Sequence, residues 1–266
     1  MSSWIRRHRL IAFFVIAYAI AWAGWPFWAV GLLPEPLFLP CGPLVAALVV
    51  IGLVEGRPGF GALAARMTRW RVGWLWWVVA LTLPPAMVLA TAVLNTAAGA
   101  PAPAVTQLAW GDLALLFGLY LINPLGGALG EEPGWRGYAL PRLQVDRSPV
   151  AAALILGVLV AGWHVPLVLF GMLGAIGLVS TLAITVVYVW LFNRSGGSAL
   201  LILVAHALQD SFTFGSLGYS APDATRAEYL YCLVVLAVAG ALLIVDRAAW
   251  AAPSPEPHPR TAPAAG

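Results

Sequence analysis

From Leu10 to Leu33 the chain runs without a charged side chain. A helix rises 1.5 Å per residue, so about 20 apolar residues cross the hydrocarbon core of a bilayer. That run alone argues against a water-soluble domain. Seven further apolar stretches follow, at roughly 38–54, 72–98, 112–140, 149–171, 173–192, 197–213 and 228–246. Only 9% of the 266 residues are charged, where a soluble domain carries roughly 25%. Backbone in lipid must satisfy its own hydrogen bonds, and long apolar runs do so as helices. The sequence therefore predicts an all-α, polytopic integral membrane protein with about eight transmembrane helices. Residues 1–247 are expected to form a single transmembrane domain with no separate soluble domain, and 248–266 a disordered Pro/Ala-rich tail.

Charge placement sets the expected orientation. The net charge of +3 comes from arginine alone, because the chain has no lysine. With the N-terminus inside, Arg6, Arg7, Arg9, Arg57, Arg66, Arg69, Arg71, Arg142, Arg147, Arg194, Arg247 and Arg260 all fall in cytoplasmic segments. Among the loop arginines only Arg226 falls outside, the asymmetry that the positive-inside rule demands. Both termini are therefore expected in the cytoplasm. The basic balance reports orientation in a lipid bilayer and implies no nucleic-acid partner. The first run is too long for the apolar region of a signal peptide and reads as a retained span. Trp70, Trp74, Trp76 and Trp77 read as interfacial anchors, and 55–71 as an amphipathic segment lying on the membrane. Cys41 and Cys232 stand alone in apolar runs and read as buried small hydrophobes, with neither disulfide nor metal spacing. The lysine-free, Ala-, Gly- and Pro-rich composition points to a bacterial inner membrane.

The chemistry lies in the ionisable residues that interrupt these runs. Glu131, Glu132, His164, His206 and Asp210 sit at membrane depth, where a central carboxylate costs roughly 2.5–3.5 kcal/mol by insertion scales. Such groups persist where they pair or serve a site. Counted from the cytoplasmic helix ends, Glu131 lies about 15 Å deep, His164 about 21 Å, His206 about 14 Å and Asp210 about 20 Å. Three helices can thus present polar groups at similar levels. Glu132 and Arg136 are four apart with the acid first, the better orientation for an ion pair. Glu131 points about 100° away and is left to face a cavity, as a general base would. His206 and Asp210 are also four apart. Pro133 is expected to kink its helix, Asn123-Pro124 reads as a second kink, and Gly126, Gly130 and Gly134 form a ridge of small residues for close helix packing. A carboxylate base, two imidazoles and a further acid suit the activation of water. Glu131, His164, His206 and Asp210 could equally hold a divalent metal such as zinc.

Glu131-Glu132-x-x-x-Arg136, then His164 in Trp163-His164-Val165-Pro166, then His206-x-x-x-Asp210, resembles the three-motif signature of the CPBP family. This is the group of CAAX prenyl endopeptidases and bacteriocin-processing or immunity membrane proteins. The resemblance spans about residues 112–213. It implies an intramembrane metalloprotease acting on a membrane-associated protein or peptide from a cytoplasm-facing cavity. Carried over, Glu131 and His164 would activate the water, His206 and Asp210 would stabilise the oxyanion, and Glu132 and Arg136 would fix the helix and its electrostatics. Two positions depart from the family pattern. Val160 stands where Phe is usual, and Asp210 where Asn is common, which adds a charge. The usual zinc motif His-Glu-x-x-His is absent, so metal dependence stays open. Two rival readings use the same residues: a proton-coupled transporter, against which stands the lack of an internal repeat, and a non-catalytic immunity or membrane-assembly protein. The plainest reading makes Glu132–Arg136 a structural ion pair and each histidine an interhelical hydrogen-bonding residue.

Overall fold

The computed structural model describes residues 2–103, 108–212 and 214–251, and these form helices with no strand among them. The first apolar run is two helices rather than one. Helix α1 (Ser2–Arg7) meets α2 (Arg9–Ala21) at His8, and a turn at 22–24 leads into α3 (Trp25–Ala29). Helix α4 (Gly42–Val54) ends at Glu55, and α5 (Gly56–Met67) follows at once. The segment expected to be amphipathic is thus a helix, with Leu63 and Arg66 buried and its charged Arg57 exposed. Helix α6 (Trp74–Ala97) tolerates Pro84 and Pro85 in its interior. At its foot Trp77 Nε1 donates to Trp70 O at 3.1 Å, while the Trp70 and Trp74 rings stay exposed, as interfacial anchors would.

The fourth apolar run departs most from expectation. It is not one kinked helix but two pieces, α7 (Trp110–Ile122) and α8 (Ala128–Gly134), with a break between them. Asn123 is extended, as a residue before proline prefers, and its side chain accepts from Leu125 N at 3.0 Å in an Asx turn. Gly127 has φ +104°, a conformation open to glycine and strained for any other residue. The chain so folded brings Pro124 O and Pro40 O against Gly130, and Pro43 O against Gly134. Two of the three ridge glycines therefore serve close backbone approach, while Gly126 sits in the turn itself, near Tyr120 and Asn123. Pro133 removes an N–H from the helix ladder. Beyond it the chain widens into a π-turn over Trp135–Ala139 before α9 (Leu140–Leu143). Carbonyls of this wide turn find cations: Arg66 Nη1 donates to Gly137 O at 3.2 Å and Arg142 Nη1 to Tyr138 O at 2.7 Å.

Helices α10 (Pro149–Leu169), α11 (Ile176–Arg194), α12 (Ala199–Ser211) and α13 (Asp223–Val245) complete the bundle. Ser148 and Ser198 cap α10 and α12, each accepting a backbone N–H at 3.2 Å. Among the described residues five spans are long and apolar enough to cross a membrane: Arg9–Ala29 and the helices α6, α10, α11 and α13. Helices α4, α7 and α12 are shorter apolar helices. The protein is a multi-pass, all-α membrane protein. The tail expectation needs one correction. Residues 248–251 belong to a short helix, α14 (Arg247–Ala251), because Trp250 is buried and its Nε1 donates to Leu242 O at 3.0 Å. The rest of that tail, 252–266, lies outside the described residues.

Ion pairs mark the two ends of the bundle. At the arginine-rich end Arg142 pairs with Glu55, and Arg194 forks onto Asp246. The Arg194 guanidinium holds the Asp246 carboxyl down at about 2. At the other end Arg226 Nε donates to Asn95 Oδ1 at 2.7 Å and Nη2 to Asp223 Oδ1 at 2.7 Å.

Candidate active site

Helix α8 and the π-turn sit at the centre of the bundle, with α4 on one side and α12 on the other. This packing buries two consecutive glutamates. Glu132 is 0% exposed, Arg136 2% and Glu131 6%. The i,i+4 pair expected from the sequence is formed, with Arg136 Nη1 on Glu132 Oε1 at 2.9 Å. The same oxygen accepts from His206 Nδ1 at 2.7 Å across the α8–α12 contact. Glu132 therefore joins the first and third motifs directly. Removing one member of such a buried charge set leaves its partner uncompensated, which costs roughly 3–5 kcal/mol.

The other face of His206 meets Asp210, with Nε2 3.4 Å from Oδ2. With Nδ1 donating to Glu132, Nε2 can also donate to Asp210 only as the imidazolium. Glu131 has a different environment. Its Oε2 accepts from the Trp135 indole at 3.3 Å, a neutral donor. A methyl group placed on Gly127 would stand 3.1 Å from Asp210 Oδ2 and 3.9 Å from Glu131 Oε1. The two carboxylates thus converge on Gly127, the second of the two glycines in the break. The same glycine supplies the turn and leaves the space.

His164 reaches this group from α10 at longer range. Its Nδ1 donates to Val160 O at 2.8 Å, so the neutral ring keeps its Nε2 lone pair for another partner. The ring packs against Trp163, whose indole lies edge-on to Trp135, the partner of Glu131. His164 also lies within electrostatic reach of His206, Asp210 and Arg136. Where the family pattern has Phe, Val160 is buried and its carbonyl orients His164. The structure thus joins Glu132, Arg136, His206 and Asp210 in one contact group, with Glu131 converging on Gly127 beside Asp210, and His164 linked to Glu131 through the Trp163 and Trp135 rings.

Part of the possible metal-donor set is engaged in this arrangement. His206 has a carboxylate at each ring nitrogen, and His164 commits Nδ1 to a carbonyl. Among the described residues no three His, Cys, Asp or Glu side chains form a set that could hold a metal ion.

Helix α11 contributes residues that the motifs do not reveal. Arg136 Nη2 donates to Thr185 Oγ1 at 3.3 Å, and its guanidinium lies 5.2 Å from the Tyr188 ring centroid, a cation–π contact. Tyr188 also packs against the His206 ring at 5.8 Å and donates its hydroxyl to Gln209 Oε1 at 2.8 Å. The signal for these positions was present but faint. Thr181, Thr185 and Tyr188 follow the i, i+4, i+7 spacing of one helical face inside an otherwise apolar run.

No curated protein matches the chain. Residues 110–212, from the start of α7 to just past α12, match the family model described as "Type II CAAX prenyl endopeptidase Rce1-like". The matched stretch contains all six candidate residues. The motif resemblance and the family match agree: from α7 through α12 this chain is similar to the Rce1-like type II CAAX prenyl endopeptidases, a family of proteases.

Proposed function

We propose that the chain is an intramembrane endopeptidase that hydrolyses a peptide bond in a membrane-associated protein or peptide. Glu131, with His164 beside it, takes a proton from water as the water oxygen adds to the substrate carbonyl. His206, held by Glu132, donates its Nε2 proton to the oxyanion, and Asp210, which accepts from the same nitrogen, orients the ring and keeps it charged. Collapse of the tetrahedral species breaks the C–N bond, and the proton taken by Glu131 passes to the leaving amine. Arg136, Thr185 and Tyr188 keep Glu132 and His206 in register. The steps are written without a metal, since among the described residues no three His, Cys, Asp or Glu side chains gather as a ligand set. The same reading has eight crossings of a bacterial inner membrane, with both chain ends on the arginine-rich face.

The observation that supports this most is the convergence of Glu131 and Asp210 over Gly127, next to His206. A general base without a cation partner lies beside a charged donor, under a spot with no side chain. One observation favours the non-catalytic immunity or assembly reading: Glu132, Arg136 and His206 satisfy one another, as a structural cluster would.

Comparison of membrane peptides from cells making wild type, Glu131→Gln or His164→Ala separates the two. The protease reading expects a cleavage product that disappears in both variants. A biological activity kept by both variants, with no product lost, would leave only the scaffold role. Metal content of the purified protein and cleavage in the presence of chelator test the metal-free step. Stoichiometric zinc that is lost in His206→Ala would overturn it.

A further inference from the structure

A cavity of about 220 Å³ lies between α11, α12 and α13, on the side of the bundle away from the arginine-rich end. Its wall is mixed, with Leu173, Ile176 and Phe214 beside a set of polar side chains. Ser180, Thr181, Gln209, Glu228 and Tyr231 face it, with Ile184 beside them. Glu228 is exposed, so it stands at the mouth, and it comes from the first turns of α13, near Arg226 and Asp223. The Tyr231 hydroxyl is buried and finds no hydrogen-bond partner among the described residues. A buried hydroxyl beside a partly polar cavity of this size is satisfied by water, which needs room and two to four polar partners.

The inner wall of the cavity is one helical turn from the candidate site. Thr181 lies one turn before Thr185, which holds Arg136. Gln209 is next to Asp210 in sequence, and its side-chain oxygen takes the Tyr188 hydroxyl, whose ring covers His206 and Arg136. A single layer, the Tyr188–Gln209 hydrogen bond, thus separates the cavity from the charged cluster.

We propose that this cavity is an aqueous vestibule. It admits water from the Arg226 face of the membrane to within one hydrogen bond of the Glu132–Arg136–His206 group. What that water is used for rests on the hydrolase reading above; the existence of the vestibule does not. A hydrolase buried in lipid consumes a water molecule each turnover, and the family-implied cavity opens toward the opposite face. A second path would let water arrive while the substrate fills the first.

The test is thiol labelling of the full chain in oriented proteoliposomes, in a Cys41→Ala, Cys232→Ala background. A membrane-impermeant methanethiosulfonate reacts with thiolate, which forms only in water. Ser220→Cys and Val145→Cys, both at exposed positions, report the Arg226 face and the opposite face, and Val179→Cys, on the lipid-facing side of α11, reports lipid. Thr181→Cys is expected to react from the Ser220 face at a rate near that of Ser220→Cys, while Val179→Cys stays unlabelled. Ser180→Cys is expected to do the same and serves where Thr181→Cys fails to insert. A Thr181 or Ser180 thiol as inert as Val179→Cys, or labelled only from the Val145 face, overturns the vestibule. Repeating the labelling with Glu131→Gln added keeps the outcome independent of catalysis: loss of cleavage alone leaves the labelling unchanged, and loss of labelling leaves cleavage to its own test.

Discussion

Helix α7 and the α8–π-turn–α9 stretch lie within one apolar run of the sequence, and the folded protein treats them in opposite ways. In α7 only Leu113 is buried, and Leu115, Leu119 and Ile122 face outward. From Gly130 to Gln144 every residue is buried. The buried stretch is also the more polar of the two, with Glu131, Glu132, Arg136, Arg142 and Gln144. In water the order would be reversed. In lipid the surface is the place for leucine, and charge survives only inside, paired or at work. Burial within this chain is therefore read from charge and glycine rather than from hydropathy.

The largest effect is expected at Glu131. Glu131→Gln keeps an acceptor for Trp135 but removes the base, and cleavage should fall by about 10²–10⁴-fold with thermal stability unchanged. Asp112→Asn, in the exposed first turn of α7, should leave cleavage as it is. A Glu131→Gln protein that cleaves normally would erase the functional half of the contrast. Next is Arg136→Ala, which strands Glu132 and should destabilise the fold by roughly 3–5 kcal/mol, measured by unfolding in detergent. Leu115→Ala on α7 should stay within about 0.5 kcal/mol.

The glycines sharpen the comparison further. Gly130→Ala and Gly134→Ala push a methyl into proline carbonyls and should each cost about 1–3 kcal/mol. Gly111→Ala and Gly118→Ala, with nothing near their Cβ positions, should instead stabilise α7 by about 0.5–1 kcal/mol. Equal effects at both pairs would contradict the observed packing. The smallest effect belongs to Arg194–Asp246 at the rim. Its carboxyl is held at about 2, below the usual value, so its contribution is complete above about pH 4 and is lost as pH falls through about 2. Asp246→Asn should remove that acid-limb change and little else, because a pair this exposed is worth at most about 1 kcal/mol.

Much of the site is legible in the sequence. Contacts within one helix follow from spacing, so Glu132–Arg136 and His206–Asp210 were both foreseen. The bond between His206 and Glu132 was not, because it crosses from α12 to α8 and depends on how two helices meet. The break after Ile122 was read only as a kink. Asn123-Pro124 announces a turn, but whether the chain resumes its axis depends on Pro40 and Pro43, which pack against Gly130 and Gly134 from a distant part of the sequence. Tyr188 and Thr185 carry only a faint polar stripe, since a threonine hydroxyl in an apolar helix is ordinarily satisfied by its own backbone and a tyrosine ring reads as apolar packing.

By itself the sequence determined the solvent, the helical class and the few residues able to do chemistry. Those follow from one-dimensional quantities: length of apolar run, position of charge, spacing along a helix. Only the tertiary structure decided which faces of those helices turn inward and which ionisable groups share an oxygen. It alone brought Glu131, Asp210 and Gly127 to a common point. Such choices are made by packing between segments far apart in the chain, and no local pattern records a contact whose two halves are both ordinary.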